Sequence, residues 1–344
     1  MKITVALPVY NGAEFLPQAL DSILCQTGVD FELLISEGGS KDATARIIKD
    51  YAARDGRIRY AQTPGRLAQV PNCNRAVEMA KTEWIQFMCH DDILLPGALA
   101  RIVETIAAAP KSVALIGHSP ALLFRNHLCY DASVNRTKLF EWMPSVNPFP
   151  LANPRRPAVL HQGRLISEQT LRLQGGPCLP ALTTGAVRRD VLLAQGGFDP
   201  AYAQFDTMAW SQMLLRHDYL FIPEPLSLTR IHGAQVTAQL TKSIKTIEDC
   251  RKYWPGYLQT ARTLGLPVTL RSRFIPLVKS ASQAASYLYV LARKKQWKSW
   301  RELFFGLPWP VNVAALPLLL RNSYHEKRRT APLAGCLNVE DYYP

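Results

Sequence analysis

Two adjacent carboxylates, Asp91 and Asp92, come directly after an apolar run of strand length from Trp84 to Cys89. Neighbouring carboxylates repel each other unless a cation lies close to both. Carboxylate oxygens suit a hard divalent ion that also binds the phosphates of a substrate. Taken alone, the pair favours a solvated Asp91 beside an Asp92 that merely caps the next helix. The elements around the pair therefore decide which interpretation is preferred.

The first 115 residues alternate predicted strands with predicted helices. Each predicted strand ends in a polar turn; the strands are Lys2–Pro8, Phe31–Ser36, Ile58–Ala61 and Trp84–Cys89. Helical spacing of apolar residues follows each of them, which is typical of a doubly wound α/β sheet. Ligands bind such sheets beyond the carboxyl ends of the strands, so Asp91 and Asp92 fall where a site is expected.

The second half is less regular. Further strands are predicted at Val113–Ile116, Thr183–Val187, Tyr219–Ile222 and Leu226–His232, and helices at Leu165–Leu173, Arg189–Gln195 and Met208–Arg216. The segment 120–182 is otherwise rich in Pro, Asn and Arg and gives no clear pattern. Beyond about residue 240 the chain becomes helical and basic. We therefore expect a domain over 1–240, with halves of about 1–115 and 116–240, and an extension over 241–344.

Composition limits the function classes. Hydrophobic residues make up 48% and charged residues 19% of the chain, as in a globular protein with a core. The net charge of +13 indicates an anionic partner such as a nucleotide or a phospholipid surface. Nucleic acid is not expected, since basic and aromatic residues do not interleave into a recognition surface.

Compartment signals favour a cytoplasmic protein. The seven cysteines are odd in number and form no C-x-x-C pair, as expected for reduced thiols. The amino terminus opens directly into a strand and has no secretory apolar region. No apolar run approaches the ~20 residues of a membrane span.

Six short strings, taken in order and spacing, make residues 1 to about 237 resemble the family-2 glycosyltransferases of GT-A fold. They are Pro8-Val9-Tyr10-Asn11, Gly39-Ser40-Lys41-Asp42-Ala43-Thr44, Asn74-Arg75-Ala76, His90-Asp91-Asp92 with Pro96 and Leu99, Gly196-Gly197-Phe198-Asp199 followed by Asp206, and Arg230-Ile231-His232. Each string alone is a weak signal. The resemblance implies an α/β fold of the GT-A type, with a doubly wound mixed sheet flanked by helices and a C-terminal helical extension.

The resemblance also implies an activity. It predicts an inverting enzyme that moves a sugar from a nucleotide-diphosphate donor to an acceptor hydroxyl. The acceptor would be a saccharide or a lipid-linked saccharide in cell-surface polysaccharide synthesis. Asp91 and Asp92 would hold Mn²⁺ or Mg²⁺ on the diphosphate. Asp206 would be the general base, with a helix cap as the alternative role.

Further residues would bind the nucleotide sugar. The set expected from the resemblance is Pro8, Tyr10, Asn11, Glu37, Asp42, Arg75, Asp91 and His232. Tyr10 would stack on the nucleoside, or else only pack on the sheet. Arg75 or His232 would reach the diphosphate, while Arg230 is expected to be structural.

Three positions depart from the family pattern. Glu37-Gly38 stands where two acidic residues are usual, which leaves the nucleotide open. Cys89 stands where the acidic motif usually begins with Asp, so the metal falls to Asp91 and Asp92. Phe205-Asp206 replaces a usual Glu-Asp pair and leaves a single carboxylate.

The C-terminal segment is strongly basic. From residue 271 to the end there are twelve lysines and arginines against four acidic residues. At helical spacing Trp297, Trp300, Leu303 and Phe304 share one face, with Lys294, Lys295, Lys298 and Arg301 off it. This pattern predicts an interfacial helix within 290–320 that makes peripheral contact with the inner face of the plasma membrane. The alternative is an amphipathic helix packed on the catalytic domain.

Two other functions remain as alternatives. A sugar-1-phosphate nucleotidyltransferase would open with a Gly-rich, Arg-containing loop, and Pro8-Val9-Tyr10-Asn11-Gly12 is not one. A non-catalytic sugar-nucleotide-binding protein would explain the acids missing at Gly38, Cys89 and Phe205, but retention of Asp91, Asp92 and Asp206 argues against it. The donor sugar, the acceptor and the oligomeric state stay open.

Overall fold

A computed structural model describes most of the chain. The described residues are 1–124, 127–129, 157–172, 179–231, 245–293, 297–306, 310–311, 313–317 and 336–338. The strands in chain order are β1 (Lys2–Val9), β2 (Asp30–Glu37), β3 (Ile58–Gln62), β4 (Trp84–Phe87), β5 (Ile93–Leu94), β6 (Val113–Phe124), β7 (His127–Cys129), β8 (Val159–His161), β9 (Gly185–Arg188), β10 (Asp218–Ile231) and β11 (Cys336–Asn338).

Helices lie between most of these strands. They are α1 (Leu16–Leu24), α2 (Thr44–Ala52), α3 (Gln69–Met79), α4 (Ala98–Ala108), α5 (Gly163–Leu171), α6 (Arg189–Ala194), α7 (Phe205–Met213), α8 (Lys245–Thr263), α9 (Ile275–Arg293) and α10 (Trp297–Gly306). Two short 3-10 turns cover Leu182–Thr184 and Arg271–Phe274.

The sheet is mixed and its two faces are both covered. Its described strands run in the order β11-β7-β6-β9-β4-β1-β2-β3, and β10 joins β6 and also pairs with β5 and β8. The strands β1 to β4 are parallel, whereas β9 runs antiparallel between β4 and β6. The predicted doubly wound mixed sheet flanked by helices is confirmed.

Strand β1 explains how one sheet supports two cores. Successive side chains of a strand point to opposite faces. On one face Ile3, Val5 and Leu7 pack with residues of α1, α2 and α4. On the other face Ala6 packs with residues of α3, α6 and α7. Burial on both faces accounts for the nearly continuous apolar sequence of this strand.

Several predicted elements differ in their bounds, and two predicted β-strands differ in kind. The two strands expected at Tyr219–Ile222 and Leu226–His232 form the single strand β10, whose register with β6 shifts around Pro225. A proline removes a ladder hydrogen bond, so the sequence reads as a break although the strand continues past it. The strand expected from Thr183 begins instead as the 3-10 turn Leu182–Thr184. In this turn the Thr183 carbonyl and hydroxyl bond to the side chains of Gln86 and Asp92.

The C-terminal helices pack on the sheet-containing part of the chain. Tyr253 of α8 lies in a buried cluster with Met208 of α7, and its hydroxyl donates to the Met208 carbonyl at 2.9 Å. Asp249 of α8 is also buried and accepts the N–H of Ala203 at 2.6 Å. Helix α8 therefore holds the segment that leads into α7. Within the described residues, no helix combines the length and apolar character needed to cross a bilayer.

Candidate active site

The loop after β1 is tied to the turn after β2. Asn11 has a positive φ of 49°; its N–H bonds to the Ser40 hydroxyl at 2.8 Å, and its Oδ1 accepts the N–H of Lys41 at 2.9 Å. Gly12 donates its N–H to the Thr44 hydroxyl at 2.9 Å. These bonds fix the two loops at the carboxyl ends of neighbouring strands.

Asp42 supports the same corner. Its carboxylate accepts the N–H of Thr44, the first residue of α2, at 3.0 Å and the N–H of Ala13 at 3.1 Å. Burial raises the pKa of Asp42, but the hydrogen bonds from Thr44 and Ala13 outweigh it and the pKa is lowered. Asp42 is thus an ionised residue whose described bonds all serve the shape of the loop.

Glu37 lies at the end of β2 and is 1% exposed. Its Oε1 accepts the N–H of Ser40 at 2.6 Å. Its Oε2 is buried and has no hydrogen-bond partner among the described residues. A buried acceptor without a partner costs free energy, so a donor is expected to approach it.

Tyr10 and Arg75 lie at the same sheet edge as Glu37. Tyr10 is half-buried, and the guanidinium carbon of Arg66 lies 5.1 Å from the centre of its ring. Arg75 of α3 donates to the main-chain carbonyl of Glu37 at 3.3 Å. Pro8 pairs in register with Ser36, at the same sheet edge. The structure therefore brings Pro8, Tyr10, Glu37 and Arg75 to one end of β1 and β2.

The acidic pair forms a compact cluster with Cys89. A ligand atom from each of Cys89, Asp91 and Asp92 lies within 4.8 Å of the other two. The two carboxylates suit a hard divalent cation. Burial raises the pKa of the Cys89 thiol well above its usual range, so Cys89 is a neutral neighbour of the pair and not a thiolate ligand. The helix-cap role for Asp92 is excluded, because Gly97 occupies the N-cap of α4.

Asp92 is held from two directions. It is 4% exposed; its Oδ2 accepts the Thr183 hydroxyl at 2.6 Å, and its Oδ1 accepts the N–H of Arg230 at 3.0 Å. Burial and the neighbouring Asp91 carboxylate raise the pKa of Asp92 above its usual range, against the bonds from Thr183 and Arg230. A cation between the two carboxylates would relieve this repulsion.

Arg230 is the cation that the sequence could not place near the pair. It is 1% exposed; its Nε donates to the Asp91 carbonyl at 2.9 Å, and a terminal nitrogen donates to Gln18. Its guanidinium lies over the ring of Phe15, 4.6 Å from the centre. The structural role expected for Arg230 agrees with these contacts. His232, two residues later, lies outside the described residues.

Asp206 lies in the first turn of α7 and not before the helix, since Gln204 is the N-cap. It is half-buried; its Oδ2 accepts the N–H of Leu182 at 3.1 Å, and its Oδ1 accepts the N–H of Thr207 at 2.7 Å. Burial raises the pKa of Asp206 despite these bonds. A carboxylate with a raised pKa is a better proton acceptor near neutral pH than an ordinary aspartate.

Three contacting residues escaped the sequence analysis. Thr183 and Gln18 contact the acidic pair or its arginine, and Arg66 covers Tyr10. Thr183 is 91 positions from Asp92, and no local motif marks such a contact. Arg66 follows Gly65 in a polar loop after β3, which could have suggested a place at the same edge.

Comparison with known proteins gives a consistent family. Residues 4–131 match the family model described as glycosyl transferase family 2. An uncharacterized protein of Mycobacterium tuberculosis is 26% identical over 249 residues, which cover 72% of each chain. An uncharacterized glycosyltransferase of Rickettsia typhi is 22% identical over 263 residues, 75% of this chain and 71% of the relative.

Two further likenesses extend this result. A PGL/p-HBAD biosynthesis glycosyltransferase of Mycobacterium bovis is 30% identical over 153 residues, 40% of this chain and 60% of the relative. Among solved structures, a mannosyltransferase from Pyrobaculum calidifontis in complex with GDP-Man and Mn²⁺ has a TM-score of 0.54. The two are 15% identical, and the match covers 95% of this chain and 87% of the other. At that identity the likeness establishes the fold, which is of the GT-A type.

Proposed function

Because the chain belongs to glycosyl transferase family 2 through its residues 4–131, we propose that it transfers a sugar from a nucleoside-diphosphate donor to an acceptor hydroxyl, with inversion. The observation that carries the proposal is the arrangement of two carboxylates around one short turn. Thr183 donates to Asp92 and the adjacent Leu182 donates to Asp206. Asp92, which would bind the metal, and Asp206, which would act as the base, are therefore held by neighbouring residues of one turn.

The nucleoside would lie at the end of β1 and β2. Tyr10 offers a ring face for stacking, and Arg66, which now lies over that ring, would have to share it or move aside. The Oε2 of Glu37, which has no hydrogen-bond partner in the part of the chain that the structure describes, would accept an N–H of the base. Asn11 and Asp42 would act through the loop they hold, since their described bonds go to backbone and hydroxyl groups there. Arg75 and His232 would complete the site.

The diphosphate would lie near the acidic cluster. Asp91 and Asp92 would hold a divalent cation, Mn²⁺ or Mg²⁺, with Cys89 beside them. When bound, such an ion neutralises the charge that grows on the departing diphosphate. Arg230 would keep the Asp91 main chain in place.

Asp206 would act on the acceptor side. In a single displacement the acceptor oxygen forms a bond to the anomeric carbon as the bond from that carbon to the diphosphate oxygen breaks. The electron pair stays with the nucleoside diphosphate, and the proton of the acceptor hydroxyl passes to Asp206. The raised pKa of Asp206 suits this role.

The acceptor is proposed to be a saccharide or a lipid-linked saccharide. Helix α10 supports a membrane location, because its outer side carries exposed apolar and basic residues. Trp297 is 57% and Phe305 75% exposed, and Arg301 lies midway between them at a spacing of four residues, on the same side. Trp300, Leu303 and Phe304 face inward and pack with other C-terminal residues. Of the predicted apolar face, only Trp297 points to solvent.

A donor panel tests the proposal. The protein is incubated with Mn²⁺ and UDP-, GDP- or dTDP-sugars, with and without a mixture of saccharide acceptors, and released nucleoside diphosphate is measured. One donor should give acceptor-dependent release, and NMR of the product should show an inverted anomeric centre. Binding of a donor without turnover under any condition would favour the non-catalytic alternative. A retained anomeric configuration would contradict the role of Asp206.

A further inference from the structure

We propose that Thr183 is a positioning residue that fixes the Asp92 carboxylate in the orientation needed to bind a divalent cation. This inference rests on the proposed function, because it concerns the same acidic cluster. It assigns a role in metal binding to Thr183, which lies outside the six sequence strings. The contact of Thr183 with Asp92 was not expected from the sequence.

The hydroxyl of Thr183 acts both as a donor and as an acceptor within the cluster. It donates to Asp92 Oδ2 at 2.6 Å and accepts the N–H of Cys89 at 3.3 Å. Thr183 is 3% exposed, so water does not compete for these bonds. One hydroxyl thus links the end of β4 to the carboxylate three residues further on.

The main chain of Thr183 is also fixed. Its carbonyl accepts the side-chain amide of Gln86, a residue of β4, at 2.7 Å. Gln86 lies inside the sheet and is fully buried, so its bond to Thr183 holds the turn Leu182–Thr184 against β4. The Thr183 hydroxyl therefore presents a stationary donor to Asp92.

The second oxygen of Asp92 is set from the opposite strand. Arg230 of β10 donates its N–H to Oδ1 at 3.0 Å. With Thr183 on one oxygen and Arg230 on the other, rotation of the carboxylate is stopped in both directions. Arg230 uses a main-chain N–H, which only a change to proline would remove, whereas the Thr183 hydroxyl can be deleted by a single conservative change.

Thr184 provides a matched control in the same turn. It is equally buried at 2% exposure, and its hydroxyl bonds to the Ala181 carbonyl at 3.2 Å. Replacing either threonine by valine removes one buried hydroxyl and keeps the shape of the side chain. Only Thr183 contacts Asp92, so the two variants separate positioning of the carboxylate from stability of the turn.

The test is the affinity for Mn²⁺, obtained from the EPR signal of the free ion. It is measured in the absence and in the presence of UDP or GDP. Loss of a partner that orients a metal ligand typically costs about 10–100-fold in affinity. Thr183→Val should therefore weaken Mn²⁺ binding by about 10–100-fold. Thr183→Ser, which keeps the hydroxyl, and Thr184→Val should bind as the unchanged protein does.

The outcomes separate this inference from the proposed function. Undiminished Mn²⁺ binding by Thr183→Val would overturn the role of Thr183 and leave the proposed function intact. An equal loss in Thr184→Val would also overturn it, because the effect would then follow the stability of the turn. An unchanged protein that binds no Mn²⁺ would contradict the metal site itself. If Thr183→Val does not fold, Thr183→Ala replaces it, with the same expected loss.

Discussion

The side-chain amide of Asn74 pairs with the main chain of Phe198 through two hydrogen bonds. Its Nδ2 donates to the Phe198 carbonyl at 2.7 Å, and its Oδ1 accepts the Phe198 N–H at 2.8 Å. Asn74 belongs to α3, and Phe198 belongs to the turn that leads toward α7. The preceding Gly197 has a φ of 76°, and a side chain there would begin 2.7 Å from Asn74 Oδ1. Helix α3 is therefore joined to the segment before α7 by a contact that favours glycine at 197.

Removing this pair should destabilise the protein. Asn74→Ala leaves the N–H and carbonyl of Phe198 without their partner, and an unsatisfied buried group costs roughly 1–3 kcal/mol. The free energy of unfolding in urea should fall by about that amount. Glu78→Ala, an exposed position one turn later on α3, is the control and should change little. Equal unfolding free energies for both variants would show that the pair does not join α3 to the segment before α7.

Much of the first half of the sheet, β1 to β4, could be predicted from sequence. Each of β1 to β4 is a short apolar run followed by a polar turn, and this local pattern reports the strand directly. The positions of Glu37, Asp91 and Asp92 followed from the same pattern, because they stand where the runs end.

Contacts between distant segments could not be predicted. Arg230 is 138 positions from Asp92, and the antiparallel pairing of β10 with β5 brings the two strands together. The predicted start of the helix at Met208 was also wrong. Phe205 is 6% exposed and begins α7, so Asp206 falls inside the first turn of the helix. Tertiary packing determines both the position of Arg230 near Asp92 and the start of α7 at Phe205. Such packing produces no pattern in the neighbouring sequence.

Asp206→Asn should lower transfer more than it lowers stability. General-base catalysis typically contributes ~10²–10⁴ in rate, so kcat should fall by about that factor with donor binding kept. Asn offers one carbonyl oxygen where the carboxylate accepts from both Leu182 and Thr207. A loss of about 1 kcal/mol in stability should accompany the change.

Asp199→Asn is the matched control for this variant. Asp199 is exposed and accepts the N–H of Ala201 at 2.8 Å, a local turn bond that Asn can also accept. Its kcat should stay near that of the unchanged protein. If kcat of Asp206→Asn fell only as far as that of Asp199→Asn, Asp206 would be a helix residue without a chemical role.

The pH dependence of transfer should report the same carboxylate. The base works when it is ionised, and burial raises the pKa of Asp206. At saturating donor, acceptor and Mn²⁺, kcat should therefore be highest above this raised pKa and decline as pH falls through it. The decline should lie at higher pH than for an ordinary aspartate, near 3.9. An unchanged pH profile in Asp206→Asn would assign the acid limb to another group.

Helix α10 should bind anionic vesicles. Replacing Trp297 and Phe305 by alanine removes the two exposed aromatic side chains of α10, and Lys298→Glu with Arg301→Glu reverses the nearby charge. Both double variants should sediment less with phosphatidylserine-containing vesicles than the unchanged protein does. Added salt should weaken the binding, since exposed charges are screened beyond ~8–10 Å. Tyr60→Ala on β3, also exposed, is the control, and equal sedimentation of all variants would remove the membrane contact.

The measurement closest to the central claim is binding of nucleoside diphosphates with and without Mn²⁺. In a thermal-unfolding series, one of UDP, GDP or dTDP should raise the melting temperature only when Mn²⁺ or Mg²⁺ is present. At a concentration of 100 times Kd, the stabilisation is about 2.7 kcal/mol. Asp91→Asn and Asp92→Asn should each abolish the metal-dependent part, because they remove a charge from the cluster. Equal stabilisation with and without metal, or full stabilisation of both variants, would contradict a metal-bound diphosphate at Asp91 and Asp92.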